Sequence, residues 1–256
     1  MSNRDLLIAE IRKNFMGYQK FIWLTGFMLY ICVILTEIYT VNNRSLILLD
    51  VDKMKSIIQN AMYGSVSMIQ ILVIIFQISV VFCRENMSNM FAIIKTSRFG
   101  GKDIILIKII SSYAIVVFIT FLVNIINIFI MQFYFHDTSH QDIETMLLGS
   151  SLQLLGNLTM TSICLAVSSL VNSIYIGISS SLVIVFSPLF LTGGEKINVL
   201  VKVMPIYYVI IKNFQQDITG ELDIFYCFLT VIINLSIIVV CIYIPFSKHG
   251  KWGNPL

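Results

Sequence analysis

Charge is what this sequence has least of. Only 17 Lys and Arg and 14 Asp and Glu occur in 256 residues, 12% of the chain, against 57% hydrophobic residues and a mean hydropathy of +0.87. That balance lies outside the range of soluble domains and makes lipid the expected solvent. Histidine is also scarce, with only His136, His140 and His249. An enzyme embedded in a membrane needs ionisable or metal-ligating groups inside its helices, and the apolar runs here hold neither a carboxylate pair nor a histidine cluster. His136 and His140 have a metal-like spacing with Asp137 and Asp142 nearby, but they fall in a short polar connection, so no metal is assigned. Ser179, Ser180 and Ser181 have no His or Lys base near the same depth, which argues against a serine nucleophile. The phosphate loop GxxxxGK[ST] is missing, and GGKD at Gly100 to Asp103 does not replace it. Any ATP that drives this chain is therefore expected on another one.

Other absences narrow the class further. A cleavable leader is not expected, because Arg4, Asp5, Glu10, Arg12, Lys13 and Lys20 spread charge over the first twenty residues. Cys32, Cys83, Cys164, Cys227 and Cys241 all fall in or beside apolar runs, which reads as buried thiols rather than a disulfide frame. A net charge of +3 gives no reason to expect nucleic acid as a partner. Neither an internal repeat nor a second domain boundary is visible, so residues 1–256 read as one transmembrane domain.

What the chain has instead is long apolar runs. They extend approximately over Phe21 to Tyr39, Tyr63 to Cys83, Ile104 to Phe135, Met146 to Val171, Ile174 to Leu191 and Ile224 to Phe246. A helix needs about 20 apolar residues to cross a bilayer core of about 30 Å, so each run is long enough or nearly so. The period-two alternation of a barrel strand is missing, which leaves an all-α protein with six transmembrane helices. If the helices alternate, Arg4, Arg12, Lys13, Lys20, Arg84, Lys95, Arg98, Lys102, Lys108, Lys248 and Lys251 share one side. Positive residues are retained inside, so both termini are expected in the cytoplasm of a plasma-membrane protein.

Three pieces fall between the crossings. Residues 4–20 place Leu7, Ile11, Phe15 and Tyr18 at helical spacing against Arg12, Lys13 and Lys20, as in an amphipathic helix on the inner surface. In the cytoplasmic loop 84–103, Met87, Met90, Phe91 and Ile94 make a one-sided apolar stripe that ends at Gly100 and Gly101. An inward-facing amphipathic helix of that kind suggests a docking element, with Glu85 at its start. The stretch 192–223 contains Gly193, Gly194 and Pro205 and is apolar enough for short re-entrant helices in the outer leaflet.

Some polar residues lie within the crossings themselves. Gln70, Gln77, Asn124 and Asn127 put amides where lipid contact is unfavourable, so they either line a substrate path or hold helices together by hydrogen bonds. Ser169, Ser173, Gly177 and Ser181 recur every fourth residue, a spacing that allows close helix approach, and Pro188 is expected to kink the fifth crossing. Glu37 lies near the outer end of the first crossing.

The layout resembles the transmembrane subunits of bacterial ABC exporters of the type-2 permease family. The resemblance rests on the lead-in helix at 4–20, Glu85 opening a loop helix, and the stretch AIIKTSRFGGKDIILIKII, where Thr96, Ser97, Arg98 and Lys108 match the family's small, polar and basic steps. The long loop with Pro205 matches as well. The family's loop proline is missing between Lys95 and Arg98. The resemblance implies that residues 86–97 form a coupling helix, with Glu85, Met87, Met90, Phe91, Ile94, Lys95 and Arg98 contacting a cytoplasmic ABC ATPase that holds ATP and Mg. It also implies a second permease chain, identical or not, with the first and fifth crossings at the dimer seam and Ser173, Gly177 and Ser181 packing there. The expected activity is export of an amphipathic or hydrophobic substrate, such as a peptide, bacteriocin, toxin or drug, by alternating access. A membrane-embedded enzyme and a non-transporting anchor or receptor subunit are the alternatives.

Overall fold

A computed structural model of the chain describes residues 3–15, 19–45, 57–59, 62, 64–83, 100–134, 140–191 and 221–250, and these form only helices and turns. The long helices are α1 (Asn3–Phe15), α2 (Gln19–Ser45), α3 (Ser65–Ile78), α4 (Gly100–Tyr134), α5 (His140–Leu170), α6 (Ile174–Leu191) and α7 (Glu221–Gly250). Three contain stretches long and apolar enough to cross a membrane, namely Gln19–Thr40, Ile104–Phe133 and Met146–Leu170. Shorter apolar helices occur at Ser65–Ile78, Ile174–Ser187 and Phe225–Val240. The described residues are thus helical, and the three long apolar stretches are compatible with a membrane location.

Helix α5 is the hub, packing against α3, α4, α6 and α7. In its span 56% of residues are buried, against 33% in α4 and 17% in α2, yet α5 is the least apolar of the three. A water-soluble protein would reverse that order. In lipid, burying one more leucine against protein gains little, whereas polar and small side chains are better placed inside the bundle. The hydroxyls of α5 are accommodated locally: Thr159, Thr161 and Ser162 donate to carbonyls four residues back, and Ser168 and Ser169 to carbonyls three back. Conversely, α2 and α4 turn Leu24, Phe27, Met28, Leu35, Phe121, Phe129 and Phe133 outward, where a bilayer would solvate them.

The helix boundaries differ from expectation in ways the chemistry explains. Helix α5 starts six residues before the apolar run, so His140, Asp142 and Glu144 belong to its first turns. Gly100 and Gly101 open α4. Helix α6 keeps the expected bounds and continues through Pro188. Proline has no N–H for the carbonyl four residues earlier, and the Ser187 hydroxyl donates to that Ile184 carbonyl at 2.9 Å. The α-helix of α3 stops at Ile78 and the chain continues in turns to Phe82.

Close approach is engineered at two glycines. A Cβ on Gly26 of α2 would lie 2.4 Å from a Val73 methyl on α3. One on Gly177 of α6 would lie 2.8 Å from Cys83 Sγ and 3.2 Å from the Ser79 carbonyl oxygen. Two buried apolar clusters result. One gathers Ile71, Ile74, Ile78, Val116, Met160 and Cys164, and the other gathers Tyr30, Ile34, Met62, Val66, Met131 and Met146.

Candidate functional site

Between the two apolar clusters lies a polar belt. Along α3 the order is Val66, then Ser67 and Gln70, then Ile71. Along α4 it is Val116, then Thr120, Asn124 and Asn127, then Met131. Along α5 it is Met146, then Gln153 and Asn157, then Met160. These belt residues are at most 6% exposed. Residues 150, 153 and 157 are spaced three and four apart, so one face of α5 carries Ser150, Gln153 and Asn157.

The belt is joined by hydrogen bonds between helices. Thr120 Oγ1 accepts from Gln70 Nε2 and from Asn157 Nδ2, each at 3.0 Å. Gln153 Nε2 donates to Ser67 Oγ at 2.9 Å and to Gln70 Oε1 at 3.0 Å. From α2, the Tyr30 hydroxyl donates to Asn127 Oδ1 at 2.9 Å. Nevertheless Asn124 Oδ1, Asn127 Nδ2, Gln153 Oε1, Asn157 Oδ1 and Ser150 Oγ are buried with no hydrogen-bond partner among the described residues. A buried amide left unmatched costs about 1–3 kcal/mol, so several in one layer mark a place suited to water or a polar guest. The belt is also uncharged, and among the described residues no group of His, Cys, Asp and Glu could hold a metal ion.

Two further polar nodes flank it. Tyr113 of α4, Ser162 of α5 and Asn234 of α7 meet within hydrogen-bonding distance, and the Tyr113 hydroxyl donates to Asn234 Oδ1 at 3.1 Å. Ser79 donates to Ser181 of α6 at 2.9 Å, and the Cys83 thiol reaches the Ser168 carbonyl at 3.5 Å, satisfying one of the last acceptors of α5.

Near the start of α4, Lys108 is 2% exposed and its ammonium lies 3.1 Å from Glu10 Oε1 on α1. Lys13 lies 3.5 Å from the same oxygen. Burial acts to raise the Glu10 pKa, but Lys108 and Lys13 together outweigh it and hold the carboxyl below its ordinary value. Lys108 is the sole charge in the span Ile104–Phe133, and a charge so placed needs a partner. Helix α1, expected along the membrane surface, packs on α4 and α2 and supplies it.

Of the amides singled out from sequence, Gln70, Asn124 and Asn127 fall in the belt, whereas Gln77 lies two turns further along α3 beside the first apolar cluster. Gly177 and Ser181 meet the end of α3 and the following turn in the same chain, and Ser173 is half-buried. Glu85, Met87, Met90, Phe91, Ile94, Lys95 and Arg98 lie outside the described residues, as do His136 and the stretch 192–220. Sequence reasoning missed Ser67, Thr120, Gln153, Asn157 and Glu10. The 150, 153, 157 spacing was a readable signal for the α5 members, but the partners of Thr120 depend on how three distant helices meet.

An apolar cavity of about 210 Å³ adjoins the belt between α2, α3 and α4. Its walls include Trp23, Val73 and Val123, and Tyr30 and Gln70 are the belt-linked residues that line it. No protein-family model, curated protein or solved structure matches the chain.

Proposed function

We propose that this chain is the permease subunit of an ATP-driven exporter, moving an amphipathic or hydrophobic substrate outward by alternating access. The observation that supports it best is the uncharged polar belt, buried between two apolar clusters and only partly satisfied. Thr120 and Asn157 stand near the middle of their spans, the depth at which many transporters place their substrate sites. A purely structural network would be expected to match its buried amides, and a proton pump or ion channel to carry charge there.

In this reading six helices cross the plasma membrane, with α3, α6 and α7 joining the three longer spans, and both termini are cytoplasmic. Glu85, Met87, Met90, Phe91, Ile94, Lys95 and Arg98 form the docking surface for a cytoplasmic ABC ATPase that binds ATP and Mg. A second permease chain completes the unit, with α2 and α6 flanking the seam and Ser173, Gly177 and Ser181 setting the α6 approach that shapes it. Switching requires different contacts in the inward and outward states. The buried Lys108–Glu10 pair ties α1 to the head of α4 next to the docking loop, so it is placed to move with that loop.

The test is copurification with a candidate ATPase encoded beside the gene, followed by ATP hydrolysis and vesicle transport. Glu85→Ala combined with Arg98→Glu should abolish pairing while expression is retained. If pairing and transport both survive, the docking assignment is wrong. A chain that is active with no nucleotide-hydrolysing companion would overturn the whole reading.

A further inference from the structure

We infer that the cavity between α2, α3 and α4 is a bilayer-facing site for a single-chain neutral amphiphile, tail in the cavity and amide carbonyl at the Tyr30–Asn127 pair. The inference deepens the exporter reading and rests on it for the role of the site, though not for its occupancy.

The wall composition specifies the tail. The walls are formed by Trp23, Phe27, Ile69, Val73, Ile119 and Val123, among others, and carry no Asp, Glu, Lys, Arg or His. Apolar cavities of about 150 Å³ stay dry and take benzene-sized guests, so 210 Å³ of similar lining suits a hydrocarbon segment better than water. It has room for one chain and not for the paired acyl chains of a bilayer lipid. Phe27, Phe118 and Leu122 are lining residues that are also exposed on the outer surface, at 47%, 57% and 38%. The guest therefore enters sideways, from the membrane. Gly26 lines the same cavity, and its missing side chain lets α2 approach Val73 closely at that wall.

The polar residues at the wall specify the head. Tyr30 lines the cavity and donates to Asn127 Oδ1. Asn127 is 1% exposed, and its Nδ2 donor has no acceptor among the described residues. A carbonyl oxygen fills that need, and a neutral head avoids the cost of a charge facing uncharged walls. Gln70, also on the wall, connects the site to the belt through Thr120.

Only two tryptophans occur in the sequence, so Trp252→Phe leaves Trp23 in the cavity wall as the single tryptophan, excited selectively over tyrosine. The full chain carrying that change is reconstituted in dioleoylphosphatidylcholine vesicles without nucleotide. The probe is N-methyl-11-bromoundecanamide, whose bromine quenches at contact. Quenching should saturate, and excess unbrominated N-methylundecanamide should reverse it. Asn127→Leu should raise the half-saturating mole fraction about fivefold to tenfold, the factor that one ordinary hydrogen bond carries, to that of 1-bromoundecane. Val123→Phe, which fills the cavity, should remove the saturable phase.

Quenching that rises linearly with bromine content and is not reversed by the unbrominated amide refutes the site, and that comparison needs no second variant. Equal saturable quenching by dibrominated phosphatidylcholine would mean a resident bilayer lipid and would also overturn the proposal. Saturable binding without any partner-dependent transport would sink the exporter reading and leave the site standing. Substrate-stimulated ATP hydrolysis without saturable quenching would do the reverse.

Discussion

Thr120→Val isolates the centre of the belt. Valine keeps the shape of threonine but removes the oxygen that accepts from both Gln70 and Asn157. Side-chain hydrogen bonds between membrane helices average about 0.6 kcal/mol, so losing two costs about 1.2 kcal/mol if the stranded amides find other partners. If the belt were dry, each stranded N–H would add about 1–3 kcal/mol. The unmatched oxygens of Asn124, Gln153 and Asn157 favour a belt that admits water, so we expect a loss of about 1–1.5 kcal/mol, near the lower bound. Reversible unfolding in mixed micelles measures it. A double-mutant cycle with Asn157→Leu should return a coupling of about 0.5 kcal/mol, as expected for residues in direct contact. A loss below about 0.3 kcal/mol with no coupling would mean that Thr120 bridges nothing, and one above about 3 kcal/mol would mean a dry belt.

Further expectations concern the glycines and the ion pair. The Glu10 carboxyl is held below its ordinary value, so its contribution is full at neutral pH and is lost as pH falls through that lowered value; the melting-temperature difference between wild type and Glu10→Gln should shrink in acid, and a constant difference would refute the pairing. Gly26→Ala should cost about 1–3 kcal/mol in micelle unfolding because branched Val73 must move, and Val73→Ala should largely rescue it. Gly177→Ala should be rescued only in part by Cys83→Ala, because the Ser79 carbonyl is backbone and still stands in the way. If α6 flanks a dimer seam, Val183→Cys in a cysteine-free background should crosslink two chains, because Val183 is 68% exposed, whereas Ser181→Cys, facing α3, should not.

The helices were legible because one strong signal decides them. A run such as Ile174 to Leu191 has no other stable form in lipid, and its bounds were recovered without change. Polar helix starts were less legible, since His140 to Thr145 join α5 although hydropathy does not register them. The belt was half legible. An amide inside an apolar run, such as Gln70 or Asn127, announces itself, but Thr120 does not, because threonine is common in membrane helices and often bonds its own backbone. Glu10 was least visible. Its role depends on α1 folding back onto a lysine 98 positions later, and no periodicity within α1 encodes that contact.

The belt and the cavity fit one physical scheme because they share Gln70 and Tyr30. A guest arriving from lipid can bury its tail in the cavity without desolvating a polar wall, while its head meets the unmatched donor of Asn127. On the proposed exporter reading, moving deeper exchanges that contact for others at Asn124, Gln153 and Asn157, and each exchange stays nearly neutral because one oxygen of each amide already lacks a partner. A fully satisfied belt would bind nothing, and a charged one would hold too tightly or reject the tail. If the chain is the proposed exporter subunit, partial satisfaction and zero charge keep each step shallow, and the energetic input falls elsewhere, on whatever separates and rejoins the helices.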